Sequence, residues 1–212
     1  MNKFTVPAIV FFLAVSQGIC TEYAYTQKVK EKTINLTVNI TETDDLKYVK
    51  TKDDYYNVIN EVKVKKGYGV IEWVYKDEKN NTDLKGVREG DIIRLSGVLK
   101  GKEYRKDNYI DKRPWYQIFT WEMDYFIMGK DREMEFWAVR PDNPDSVGVL
   151  VAVREKEETV TVSGSNVEAL RVRVALAGLL SIFWSGNYWF RKSDGFYVKS
   201  NPTSDITVEL NN

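Results

Sequence analysis

The sequence predicts a mainly β protein: a strongly bent antiparallel sheet, or incomplete barrel, with one short helix. From residue 34 almost to the end of the chain, apolar and polar residues alternate with a two-residue period. This period is typical of strands that bury one face and expose the other. Turn residues recur between the alternating stretches, and short strands joined by frequent turns favour a barrel or a sandwich. Only residues 115–128 follow a helical period.

The chain begins with a segment that is typical of a secretory signal peptide, residues 1–20. Lys3 gives a positive start, and the apolar run that follows is too short to span a bilayer as a helix. The positions around Cys20 fit a bacterial lipoprotein signal poorly, because the residue directly before it is the bulky Ile19. We therefore expect export, most simply to a periplasm, with little support for a lipid anchor at Cys20.

The predicted domain organisation is simple. Residues 21–33 are polar and are expected to be a flexible lead-in, and residues 34–212 are expected to form one β half-barrel domain without an internal linker. Lys100 and Gly101 mark the turn of a predicted hairpin, since glycine readily adopts positive φ. The predicted strands are residues 34–41, 58–65, 70–75, 92–99, 103–110, 136–139, 147–154, 159–163, 169–177, 182–192, 196–199 and 206–210.

The predicted helix, about residues 115–128, follows Pro114, which suits the first turn of a helix. Its apolar residues recur with a 3.6-residue period, so one face is expected to cover the sheet. Those residues are Trp115, Ile118, Phe119, Met123, Phe126 and Ile127.

Composition excludes several kinds of site. The chain has no histidine and one cysteine, so a Ser-His-Asp triad, a Cys-His pair and a Cys/His zinc site are impossible. The 31 basic residues equal the 31 acidic residues, which gives no long-range attraction to nucleic acid. No cofactor or metal is expected. Glu133 and Glu135 would share one face of a strand and leave a carboxylate-dependent hydrolase as a remaining, less favoured hypothesis.

Six tryptophans and many other aromatic residues must fill much of the inner face of such a sheet. Two interpretations remain open, a packed aromatic core and a concave pocket for an acyl chain or another apolar ligand. If there is a pocket, the wall is expected to include Trp115, Phe119, Trp137, Trp184, Tyr188 and Trp189.

The end of the chain carries a family resemblance. Residues 182–199, IFWSGNYWFRKSDGFYVK, combine an aromatic-rich strand with a charged turn. This stretch resembles the DUF3108 family of exported bacterial proteins of unknown function. The resemblance implies an exported antiparallel β protein with a short helix, and it defines no catalytic residues. One step further, the architecture looks like the half-barrels that carry lipoproteins in the Gram-negative periplasm.

Three functions therefore remain as hypotheses. The first is a non-enzymatic, exported half-barrel that binds a lipid or another apolar ligand. The second is a structural or adaptor module of the cell envelope that docks a protein partner through a sheet edge or an aromatic patch. The third is the hydrolase based on Glu133 and Glu135.

Overall fold

A computed structural model of the chain describes residues 19–178 and 184–211. They form one antiparallel sheet of fourteen strands in the order β8-β7-β6-β5-β4-β3-β2-β1-β14-β13-β12-β11-β10-β9. The strands are β1 Ile19–Val29, β2 Lys32–Glu42, β3 Leu46–Asp53, β4 Val58–Lys65, β5 Gly69–Asp77, β6 Thr82–Glu89, β7 Ile92–Leu99, β8 Lys102–Tyr109, β9 Glu133–Val139, β10 Val147–Val162, β11 Ser165–Leu176, β12 Ser185–Arg191, β13 Tyr197–Thr203 and β14 Ile206–Leu210.

The sheet is a meander whose first and last strands meet at its centre. Strand β1 pairs with both β2 and β14, whereas β8 and β9 are the two edges and do not pair with each other. The barrel is therefore incomplete, and the predicted fold class is confirmed. Within the described ranges, no helix is both long and apolar enough to cross a bilayer.

The prediction that residues 21–33 form a flexible lead-in is wrong. These residues form most of β1 and the start of β2. The side chain of Tyr25 is fully buried, and its hydroxyl donates a hydrogen bond of 2.7 Å to the main-chain oxygen of Tyr197. The stretch looks polar because few of its side chains point inward, yet main-chain pairing on both sides holds it in the sheet. Residues 1–18 of the expected signal peptide lie outside the described residues.

The predicted helix is much shorter than expected. Residues 119–121 form a single 3-10 turn and Asp124–Met128 form a five-residue helix, α1. The carbonyl oxygens of Pro114 and Trp115, which would start a longer helix, accept hydrogen bonds from Trp137 N and Val70 N, each at 2.8 Å. Residues 114–118 are thus held in extended contact with β9 and β5, so the helical pattern describes packing and not a continuous helix.

The inner face of the sheet closes around residues 114–128, which we call the plug segment. Trp115, Trp121, Met123 and Phe126 of the plug segment belong to one buried cluster with inward-facing residues of most strands. Burial of each large side chain contributes about 1.5–3 kcal/mol to stability. The plug segment therefore fills the inside of the sheet and positions the residues next to it.

The two strands predicted at residues 147–154 and 159–163 are a single strand, β10, that carries a bulge between Arg154 and Lys156. Beyond the bulge, the β10–β11 hairpin lies near β13 and β14: Lys199 Nζ donates to Thr161 O at 3.3 Å. A small second apolar cluster forms there. The bulge explains the polar break in the sequence pattern, because a bulged strand bends.

Candidate functional site

The predicted ligand-binding aromatics divide between two buried clusters. Trp115 has no solvent exposure, and its ring meets Trp73 edge-on at 6.4 Å between ring centroids. Phe119 contacts Tyr188 at 5.1 Å and Phe136 at 5.6 Å between centroids. Each of these rings packs against other aromatic rings of the core, so the structure favours the packed-core interpretation at this place.

The other predicted wall residues lie at the margins of this core or outside it. Trp184 is half-buried against the same cluster. Trp137 is also half-buried, with its indole N–H donating to Asp111 Oδ1 at 2.9 Å. Trp189 belongs to the second cluster, and its indole N–H donates to Glu158 Oε1 at 3.0 Å. Because neighbouring residues of a strand face opposite sides, Tyr188 and Trp189 cannot line one pocket.

The carboxylates of the hydrolase hypothesis lie at the surface of β9. Glu133 and Glu135 are both exposed, and Glu135 pairs with Arg113 at 2.6 Å. Neither carboxylate lies in a cleft that could hold a substrate, and Arg113 already occupies Glu135. Across the described ranges, no group of three or more acidic or cysteine side chains is placed to hold a metal ion.

One open space lies between α1 and the ends of β2, β3 and β4, and we call it the end cleft. Its volume is about 310 Å³, within the range of about 300–1,000 Å³ that is usual for small-molecule sites. It combines charged, aromatic and apolar side chains. The lining residues are Glu42, Lys47, Val64, Lys65, Lys66, Gly67, Gly69, Tyr116, Glu122, Asp124, Tyr125, Met128 and Asp194.

Lys47 brings a nearly buried ammonium group to the end cleft. Only 7% of the residue is exposed, because it lies at the start of β3 beneath α1. Its Nζ atom lies 3.4 Å from a carboxylate oxygen of Glu42 and 3.4 Å from one of Asp124. Both distances are long for a charge-assisted hydrogen bond, which is usually about 2.7–2.9 Å. The ammonium group therefore retains capacity for a closer acceptor.

Glu122, from the plug segment, supplies a buried carboxyl group with 3% exposure. Its two oxygens accept hydrogen bonds from the main-chain N–H groups of Ile118 at 2.7 Å and Gln117 at 2.9 Å. Burial raises the pKa of Glu122 to about 8, whereas these two bonds and the charge of Lys47 act in the opposite direction. The group is thus mainly protonated at neutral pH.

Tyr116 and two exposed side chains complete the cleft. Tyr116 is 6% exposed, and its hydroxyl forms no hydrogen bond to any residue of the described ranges. Burial raises the pKa of this hydroxyl well above its usual range, so it stays protonated. At the rim, Tyr125 and Met128 are 76% and 55% exposed. The cleft therefore has a polar floor, and Tyr125 and Met128 give its rim an apolar part beside exposed charged side chains.

Sequence reasoning missed this cleft. The available signal was Glu122, a carboxylate between Trp121 and Met123 in the most aromatic part of the chain. Acidic residues are seldom fully buried unless they are paired, so an acid at that place in a buried segment points to a special environment. The contribution of Lys47 has no comparable signal, because it comes from a strand far away in the sequence.

A second open space lies on the outer side of β2–β5 and has a volume of about 430 Å³. Its charged residues pair with one another across the strands, as in the contact of 2.8 Å between Lys50 and Glu61. Lys63 lies over the ring of Tyr48, 5.5 Å from the centroid. This surface has no deeply buried ionisable group among its lining residues, in contrast to the end cleft.

Comparison with known proteins gives a similarity of fold. No family model matches it, and no curated protein matches it. Its fold is similar to a solved structure, the β-barrel-like protein of the domain of unknown function DUF1849 from Brucella abortus. The TM-score is 0.55 at 10% identity, over 92% of this chain and 95% of that one. This similarity supports a β-barrel-like fold and gives no specific support to the DUF3108 family.

Proposed function

We propose that the chain is an exported, non-enzymatic β-barrel-like protein that binds a small amphipathic molecule in the end cleft. The proposal depends on one observation: the buried polar groups Lys47 and Glu122 line the same cleft as the exposed side chains of Tyr125 and Met128. A pocket that is partly apolar and holds a few well-placed polar groups is typical of small-molecule sites.

This proposal moves the apolar ligand site away from the aromatic interior. The ring of Trp115 packs against Trp73, and the ring of Phe119 packs against Tyr188. Close-packed interiors have few voids larger than a water molecule. The end cleft is open to solvent and needs no displacement of these rings.

A non-enzymatic role is supported by the absence of histidine from the sequence and by the exposure of Glu133 and Glu135. Export to a periplasm is supported by the pattern of residues 1–20 alone. Membership of the DUF3108 family remains a hypothesis that is based on residues 182–199.

The adaptor hypothesis has one observation in its favour, the free edge of β8. This edge ends at Tyr109, which is 81% exposed. The strand is rich in charge, however, as its sequence KEYRKDNY shows. Charged side chains on an edge strand are a common protection against strand addition, so we favour the cleft.

Native mass spectrometry of the full chain, recovered from cells with and without organic extraction, tests the proposed function. We expect a bound small molecule that extraction removes. A Tyr125→Asp variant should lose it, whereas Tyr109→Asp, matched in residue type and exposure, should retain it. A bare chain in every preparation would contradict the proposal. A stoichiometric protein partner that Tyr109→Asp releases would support the adaptor hypothesis in its place.

A further inference from the structure

The end cleft carries charges of both signs. Three lysines line it, Lys47, Lys65 and Lys66, together with the carboxylates of Glu42, Asp124 and Asp194. Arg191, outside the lining, holds Asp194 at 2.6 Å. Asp194 is therefore neutralised from outside the cleft, and Lys47 is the buried cation among the lining residues.

The hydrogen-bond donors on the floor of the cleft favour a ligand that accepts hydrogen bonds. Lys47 holds its two carboxylates at long range, and the Tyr116 hydroxyl has no protein partner among the described residues. Both residues are at least nine-tenths buried and line the cleft. Both groups can donate a hydrogen bond to an acceptor that enters the cleft, Lys47 by exchanging its long contacts for a closer one and Tyr116 through this hydroxyl.

We propose that the end cleft binds the carboxylate of a medium-chain fatty acid, with the head group at Lys47 and Tyr116 and the chain along Tyr125 and Met128. The proposal rests on the proposed function and names its ligand class. The volume of about 310 Å³ equals that of about ten water molecules in the liquid, and it therefore suits a molecule with about ten non-hydrogen atoms.

Glu122 makes this binding depend on pH. Ionised Glu122 would add to the negative charge of Glu42 and Asp124 near the bound carboxylate and repel it further, so the carboxylate binds best when Glu122 is neutral. Apart from Lys47, the charged groups facing the site are Glu42 of β2, Lys65 and Lys66 at the end of β4, Asp124 of α1 and Asp194 before β13. For Glu122, burial raises the pKa to about 8, between pH 7 and pH 9.

The expected size of the pH effect follows from the position of this titration. With a pKa of about 8, the protonated fraction of Glu122 falls from about nine-tenths at pH 7 to about one-tenth at pH 9. The affinity for a carboxylate should therefore fall about tenfold. A neutral alcohol of the same chain length should lose little, because it carries no charge for Glu122 to repel.

Isothermal titration calorimetry of the full chain with decanoate and decanol, at pH 7 and pH 9, tests the inference. We expect decanoate to bind at least tenfold more tightly than decanol at pH 7, and about tenfold more weakly at pH 9 than at pH 7. Glu122→Gln, which is neutral at both pH values, should reduce this pH effect to less than twofold.

Two further variants test the head-group contacts. Lys47→Met should weaken decanoate binding at least tenfold, and Tyr116→Phe, which removes only a hydroxyl, should weaken it severalfold. Lys50→Met is the matched control, because Lys50 is on the same strand as Lys47 but pairs with Glu61 on the outer face, and it should change binding less than twofold.

The outcomes separate the two proposals. Decanol binding as tightly as decanoate, or an unchanged pH effect in Glu122→Gln, would overturn the carboxylate inference while the amphipathic binding function stands. If neither compound binds and the chain recovered from cells carries no small molecule, the binding function itself fails.

Discussion

Gly86 offers the sharpest perturbation of the contact between the plug segment and the sheet. A Cβ atom added at this position of β6 would lie 2.9 Å from Trp115 Cη2 and 3.1 Å from both Leu95 Cδ2 and Trp73 Cε3. Carbon atoms that are not bonded to each other attract best at about 3.5–4.0 Å, so all three contacts are too short. Gly86→Ala therefore overpacks the core.

The neighbouring groups have little freedom to relax. The indole N–H of Trp115 donates to Gln117 Oε1 at 3.1 Å, and its main-chain oxygen accepts from Val70 N at 2.8 Å. Trp73 is itself tied to Asn60 Oδ1 by a hydrogen bond of 2.6 Å from its indole N–H. Overpacking of a core that cannot yield usually destabilises by about 1–3 kcal/mol.

Gly148→Ala in β10 is the matched control, because nothing lies within 4 Å of the added Cβ atom. Both substitutions reduce the conformational entropy of the unfolded chain to the same degree. This effect alone raises the free energy of unfolding by about 0.4–1 kcal/mol in each variant. The difference between the two variants thus isolates the steric effect. We expect the free energy of unfolding of Gly86→Ala to be about 1–3 kcal/mol below that of Gly148→Ala.

Urea unfolding followed by tryptophan fluorescence measures this difference from the midpoints and slopes. In a Trp115→Phe background, where the smaller ring removes the shortest of the three contacts, Gly86→Ala should lose part of its effect, while the contacts with Leu95 and Trp73 remain. Equal unfolding free energies for the two alanine variants would show that Trp115 does not lie against Gly86, and the description of the plug segment would then be wrong.

Three other outcomes follow from single sites. Gly97→Ala should prevent folding or destabilise by more than about 3 kcal/mol in the same urea assay, because φ is +132° and the added Cβ would lie 2.1 Å from Asp83 O. Tyr25→Phe should lower the free energy of unfolding by about 1–2 kcal/mol, since it removes the hydrogen bond to Tyr197 O; an unchanged midpoint would contradict that bond. The pKa of Glu122 is higher in the folded chain, at about 8, than in the unfolded chain. Stability should therefore fall as pH rises from 5 to 8 in the wild type relative to Glu122→Gln, and parallel pH profiles would refute this.

The two-residue period predicted an antiparallel sheet, because each strand has one exposed and one buried face, but the strands predicted from it did not include β3 or β6. The hairpin at Lys100 and Gly101 was also predictable, and both residues adopt positive φ, of 52° and 79°. Such features depend on residues that are close together in the chain. They need no knowledge of distant partners.

The errors arose where distant partners decide the local structure. Strand β1 has one fully buried large side chain, Tyr25, and is held by pairing with β14, about 180 residues later in the chain. The helix over residues 115–128 was overestimated because Trp137 and Val70 take the main-chain oxygens that it needs. A helical period reports which side chains are buried, and a plug inside a barrel buries side chains in a similar pattern.

The candidate site was mostly beyond sequence reasoning. Aromatic residues in the sequence predict which side chains are buried. They do not distinguish a packed core from a ligand-binding pocket. Trp115 and Tyr188 turned out to be buried among other aromatic rings, whereas the end cleft depends on a lysine of β3 and a glutamate of the plug segment that the chain brings together only on folding.

Photoaffinity labelling tests the location of the binding site most directly. The full chain would be irradiated with a medium-chain fatty acid that carries a diazirine on its chain, and the labelled peptides would be mapped by mass spectrometry with excess decanoate as competitor. We expect competed labelling at Tyr125 and Met128 of α1. Competed labelling at Phe119 or Tyr188 instead would place the ligand among the aromatic rings of the interior and contradict the end cleft as the binding site.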